Sequence, residues 1–88
     1  MKIKNGFICR QVGGNNVVVA TGAQSKIFNG VIKLNESGLV LWNKLLVGVE
    51  KNELVDALLS EYDVDRTVVE ADVDKFLKEL RDAGAIEE

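Results

Sequence analysis

The sequence predicts an α+β fold in which a three-stranded antiparallel sheet precedes a bundle of three helices. Three observations lead there. Short β-branched and aromatic runs, separated by glycine and asparagine, fill the first 34 residues. From Asn35 onward, apolar residues recur at helical spacing. No proline breaks either half, and strands followed by helices form one α+β unit spanning 1–88.

The first strand is expected at 7–12, where Phe7 to Val12 ends at the turn signal Gly13-Gly14-Asn15-Asn16. The second is expected at 17–21, over Val17-Val18-Val19-Ala20-Thr21, closing a hairpin. A polar loop follows, in which Ile27 and Phe28 are expected to tuck inward. Gly30-Val31-Ile32-Lys33-Leu34 reads as the third strand.

Helices are expected at 36–47, 51–62 and 66–83. Asn35 is a good cap for the first, with Leu34 and Leu39 at the spacing of a hydrophobic staple. Leu39, Trp42, Leu45 and Leu46 share its apolar face, and Gly48 ends it. The second helix carries Leu54, Val55, Leu58, Leu59 and Tyr62 in register behind Glu50, a weak cap residue. The third follows Asp65 as its expected cap, with Val64 and Val69 as a further staple. Its stripe is Val69, Val73, Phe76, Leu77 and Leu80, and Gly84 suits the left-handed position after its end, where Ile86 folds back.

Bulk properties exclude several classes of function. A chain of 88 residues has little interior for a deep catalytic cavity. No apolar run approaches the roughly 20 residues needed to cross a bilayer, and the start MKIKNGFICRQ lacks the apolar core of a signal peptide. A single cysteine excludes an internal disulfide and, with no histidine, fits a reduced, cytoplasmic setting. The same lack removes triads and ordinary zinc sites. Net charge is −3 but unevenly spread: residues 1–34 carry five cations and no acid, while residues 35–88 carry fourteen acids against six cations, a net of −8. Two readings follow: attraction between two layers of one domain, or attraction of an acidic partner to the cationic part.

No catalytic constellation stands out. Asp63-Val64-Asp65 lacks a calcium loop and reads as a turn and a cap. Gly13-Gly14 lacks the rest of any phosphate-binding fingerprint. Cys9 lies mid-strand with no histidine partner and is expected to be buried and inert. Trp42 belongs to the core, and Glu70 with Asp74 to a solvated helix face.

Three strands followed by three helices is a winged-helix-like layout with the sheet placed first. Three segments sharpen the likeness: Leu34-Asn35-Glu36-Ser37-Gly38-Leu39-Val40-Leu41-Trp42; Glu53-Leu54-Val55-Asp56-Ala57-Leu58-Leu59 with Tyr62-Asp63-Val64-Asp65; and Asp72-Val73-Asp74-Lys75-Phe76-Leu77-Lys78-Glu79-Leu80 with Ala83-Gly84-Ala85-Ile86. In order and spacing they resemble the PqqD-like family over about residues 5–87, nearly the whole chain. Glu50 stands where that family usually has Ser or Thr, and Gly38 where an alanine-like residue is common.

The resemblance implies a non-catalytic recognition element without cofactor. Its partners would be the leader segment of a ribosomally made precursor peptide and the radical S-adenosylmethionine enzyme, or other peptide-modifying enzyme, that receives it. It also implies that the leader adds as a strand to the third strand of the sheet and lies against the third helix. On this chain the site would comprise Gly30, Val31, Ile32, Lys33 and Leu34, with Val68, Asp72, Lys75 and Phe76. Strand addition needs a free edge, which Lys33 would otherwise simply guard against aggregation. At 100° per residue, Val68, Asp72, Lys75 and Glu79 share one flank of the third helix, but periodicity does not say which flank meets the sheet.

Two rival classes remain at this level. A winged helix that reads nucleic acid should present a cationic third helix. This one carries five acids against four cations from Arg66 to Ala83 and should repel phosphate, so no nucleic-acid partner and no membrane are expected. A free strand edge also suits a homodimer or a scaffold domain.

Overall fold

The computed structural model describes residues 1–88. Its elements are β1 (Lys2–Ile3), β2 (Phe7–Val12), β3 (Asn15–Ala20), a 3-10 turn (Gly22–Lys26), β4 (Val31–Leu34), α1 (Glu36–Val47), α2 (Lys51–Glu61), α3 (Arg66–Asp82) and β5 (Ile86–Glu87). The three-stranded antiparallel sheet runs β2-β3-β4, and three helices follow, so the fold is α+β as expected.

The hairpin is tighter than expected. β3 starts at Asn15, not at residue 17, because Gly13 and Gly14 alone make the turn, with φ of 56° and 81°. A two-residue turn of that hand needs positive φ at both central positions, which glycine adopts at little cost. Asn15 and Asn16 therefore pair with Val12 and Gln11.

Alternation then divides the sheet. Phe7, Val18, Ile32 and Leu34 point inward and are buried. Ile8, Arg10, Val31 and Lys33 point outward and are exposed. No second layer covers the outward face. Inward, α1 offers Gly38, Leu41, Trp42 and Leu45 at i, i+3, i+4 and i+7. The expected stripe is thus rotated: Leu41 is buried, whereas Leu46 is 47% exposed. Leu54, Val55 and Leu58 of α2 and Val69, Val73, Leu77 and Leu80 of α3 complete the core.

Several local expectations need correction. Ile27 is 71% exposed; only Phe28 turns inward, against the Phe7 ring, with centroids 6.3 Å apart. Gly30 precedes β4, held close to the Phe28 ring. Asn35 caps α1 as expected, its Oδ1 accepting the Gly38 N–H at 2.8 Å. Asp65 occupies the cap position of α3 without a side-chain bond to it. Glu50 is helped by Glu53, whose carboxylate accepts the Glu50 N–H at 2.8 Å. Gly84, at φ 76°, ends α3, and the Ala85 N–H donates to the Leu80 carbonyl at 2.9 Å.

Two short strands escaped the sequence reading. β1 and β5 pair, Lys2 opposite Glu87 and Ile3 opposite Ile86. Met1 and Val49 exchange main-chain hydrogen bonds at 2.9 and 3.0 Å, tying this clasp to the α1–α2 connection. No helix is long and apolar enough to cross a membrane.

The two halves do not attract each other through ion pairs. All five ion pairs join residues between 51 and 88: Lys51–Asp74, Arg66–Asp56, Arg66–Glu70, Lys78–Asp82 and Arg81–Glu88. The five N-terminal cations meet no carboxylate. Cys9 is half-buried rather than buried, and burial still pushes its thiol above the ordinary range.

Two outcomes follow. Leu45, fully buried, is expected to cost about 2–5 kcal/mol on replacement by Ala. That is much of the roughly 4–13 kcal/mol available to a domain of this size. Leu46→Ala should change stability by less than about 0.5 kcal/mol. Urea titration followed by the fluorescence of Trp42, the sole tryptophan, measures both. Iodoacetamide at pH 7.5 should alkylate Cys9 several-fold more slowly than a free cysteine peptide, because less thiolate is present. Equal rates would place that thiol in open solvent.

Candidate functional site

β4 pairs with β3 alone, through Val31–Val19, Ile32–Val18, Lys33–Val17 and Leu34–Asn16. It is therefore an edge. Main-chain groups of successive residues alternate in direction, so two of its four residues aim N–H and C=O away from β3. A cleft of about 600 Å³ opens between this edge and α3.

The floor of the cleft is apolar. Ile32 and Leu34 come from β4, Leu41 from α1 and Leu58 from α2, all buried, with half-buried Phe76 from α3. Each doubles as a core residue, which fixes the floor. The rim is charged: Lys33 on the strand, and Asp72, Lys75 and Glu79 on α3. None of these four takes part in an ion pair. Two cations and two carboxylates thus stand unpaired along the rim. Asn35, Ser37 and Gly38 close one end, where the Asn35 carboxamide also accepts the Ser37 hydroxyl at 3.1 Å.

The cleft continues toward the start of α3. A second lobe of about 260 Å³ is lined by Tyr62, Val64, Val68 and Val69 and shares Asn35, Ser37, Leu58 and Asp72 with the first. Val64 and Val68 are 47% and 52% exposed. Two unspent valines beside one groove are the apolar surface that an extended chain would cover.

Of the residues singled out from sequence, Ile32, Lys33, Leu34, Asp72, Lys75 and Phe76 meet in the main lobe. Val68 lies in the second, next to Asp72. Val31 points to the outward face and Gly30 lies before the strand, so neither lines the cleft. The flank of α3 that meets the sheet edge is the one bearing Asp72, Lys75 and Glu79. Leu41 and Leu58 were missed as floor residues. Helical period marked Leu58 as core but left Leu41 off the expected α1 stripe, and nothing in the pattern distinguishes core from cleft floor.

The cleft lining supplies apolar surface, charged side chains and the Ser37 hydroxyl. Asp72 and Glu79 lie two turns apart, about 10 Å along the helix, with Lys75 between them on the same flank. No three His, Cys, Asp or Glu side chains gather anywhere in the structure. A further cleft of about 470 Å³ follows the opposite edge, between β2 and the Leu39, Asn43 and Leu46 side of α1.

Known proteins place this architecture. The structure of TbiB1 in complex with the TbiA(beta) leader peptide superimposes with a TM-score of 0.78 at 29% identity, covering 99% of this chain and 95% of that one. Lasso peptide synthetase B1 complexed with the leader peptide gives 0.76 at 21% identity, covering 99% and 96%, and at that identity supports the fold. No curated protein matches. Residues 16–86, most of the chain and the whole of its cleft but for Asn15, match the family described as Coenzyme PQQ synthesis protein D. The chain belongs to the PqqD family.

Proposed function

We propose that residues 1–88 form one non-catalytic recognition domain that binds the leader segment of a ribosomally made precursor peptide and presents it to a modifying enzyme. The observation that carries this reading is the unpaired β4 edge facing an apolar-floored cleft against α3. An extended guest gains main-chain hydrogen bonds from the strand and apolar burial from the floor, the two ingredients of strand addition. TbiB1, seen with a leader peptide and alike over nearly its whole length, supports the same use of the fold.

On this reading the residues divide the work. Gly30 and the β4 strand after it, to Leu34, supply the main-chain ladder. Ile32, Leu34 and Phe76 receive the guest side chains that point inward. Lys33, Asp72 and Lys75 select its charge, and Val68 covers its far end. The enzyme that receives the guest is a radical S-adenosylmethionine enzyme or another peptide-modifying enzyme. A lone half-buried thiol with no disulfide suits a cytoplasmic setting for this exchange. Nucleic acid is disfavoured, because α3 carries five acids against four cations from Arg66 to Ala83.

Phe76→Ala should weaken the cognate leader by about 10- to 100-fold, the worth of roughly 1.5–3 kcal/mol of lost burial. N-methylation of alternate residues in the paired segment of the leader should weaken it similarly. Calorimetric titration measures both. Unchanged affinity in the two experiments would rule out the β4–α3 cleft, and a tight mobility shift with DNA at low salt would favour the nucleic-acid reading instead.

A further inference from the structure

Register aligns the side chains on the outward face of the sheet into two rows, which share only Lys33 with the peptide cleft. Ile8 stands opposite Val19, and Val19 opposite Val31. One step along, Arg10 stands opposite Val17, and Val17 opposite Lys33. The first row is wholly apolar, with Ile8 37% and Val31 65% exposed. The second is a valine between two cations. No acid occurs in residues 1–34 to balance them, and neither Arg10 nor Lys33 has a carboxylate partner. The same face runs on to the free edge of β2, where Ile8 and Arg10 also rim the second cleft.

We infer that this face docks a partner protein whose contact surface is apolar at its centre and carboxylate-bearing at its margin, and that this partner is the enzyme receiving the guest peptide. The identity of the partner rests on the function proposed above; the chemistry of the face does not. Charge complementarity selects an acidic surface, since both cations are free and flank apolar ground. Size selects a transient contact. Strands of at most six residues, three abreast, span roughly 300 Å², well below the roughly 800 Å² per partner of a stable pair. That disfavours a permanent homodimer. Two cations are also too few to hold a flat face on an anionic membrane. Apart from Lys33, which also stands on the cleft rim, the outward face and the floor of the β4–α3 cleft lie on different sides of the sheet, so guest and enzyme can be held together.

The test titrates the 15N-labelled chain with two purified probes, a leader peptide that the chain binds and the peptide-modifying enzyme that acts on that peptide. The enzyme should broaden the amides of Ile8, Arg10, Val17 and Val19. Arg10→Glu and Ile8→Asp should each weaken enzyme binding at least tenfold and leave the leader within about twofold, which also shows that both variants fold. Enzyme affinity unchanged in both variants overturns the inference. So does a wild-type chain that ignores the enzyme, or variants that lose binding to phosphatidylserine vesicles or self-association instead. Finding no leader peptide that the wild-type chain binds strikes at the cleft, so the two ideas fail separately.

Discussion

Burial of one face of a three-stranded sheet governs this molecule. Alternation sends Phe7, Val18, Ile32 and Leu34 toward the helices and their neighbours toward solvent. With only three strands, one is central and two are edges, so the fold cannot hide its strand margins. The helices cover the inward face without closing over β4. A free edge, a floor and an uncovered back thus all follow from one packing decision.

The cleft draws its apolar floor from the core. Leu34, Leu41 and Leu58 stabilise the fold and line the cleft at once. Such a floor cannot drift in shape without cost to the fold, so preorganisation comes with stability. Selectivity is left to the rim, where Lys33, Asp72, Lys75 and Glu79 make no internal pairs. The exposed ion pairs of α2 and α3 contribute little to stability. The cleft rim and the sheet back are among the regions whose charges none of these pairs neutralises.

Much of this could be read from sequence, for physical reasons. Helical periodicity over ten or more residues located α1, α2 and α3, and β-branched runs located β2, β3 and β4. The flank of α3 bearing Asp72, Lys75 and Glu79 was visible as a polar line beside an apolar one. What stayed hidden depends on tertiary geometry. Which flank meets β4 is set by how α2 and α3 pack. Leu41 and Leu46 exchanged places because the sheet, not the helix, fixes the direction of burial. β1 and β5 are two residues each, below the length at which alternation gives any signal. Ile27 and Phe28 differ because only Phe28 finds a ring, that of Phe7, to rest on.

The clasp between β1 and β5 has a consequence for engineering. Paired residues across such a ladder sit about 5 Å apart, so Lys2 and Glu87 bring both termini to one spot. A short bridge there would close the backbone into a ring. New ends could be opened in the Gly13-Gly14 hairpin, whose two residues nothing crowds. For the same reason, a tether attached at either terminus would swing the whole domain from a single pivot.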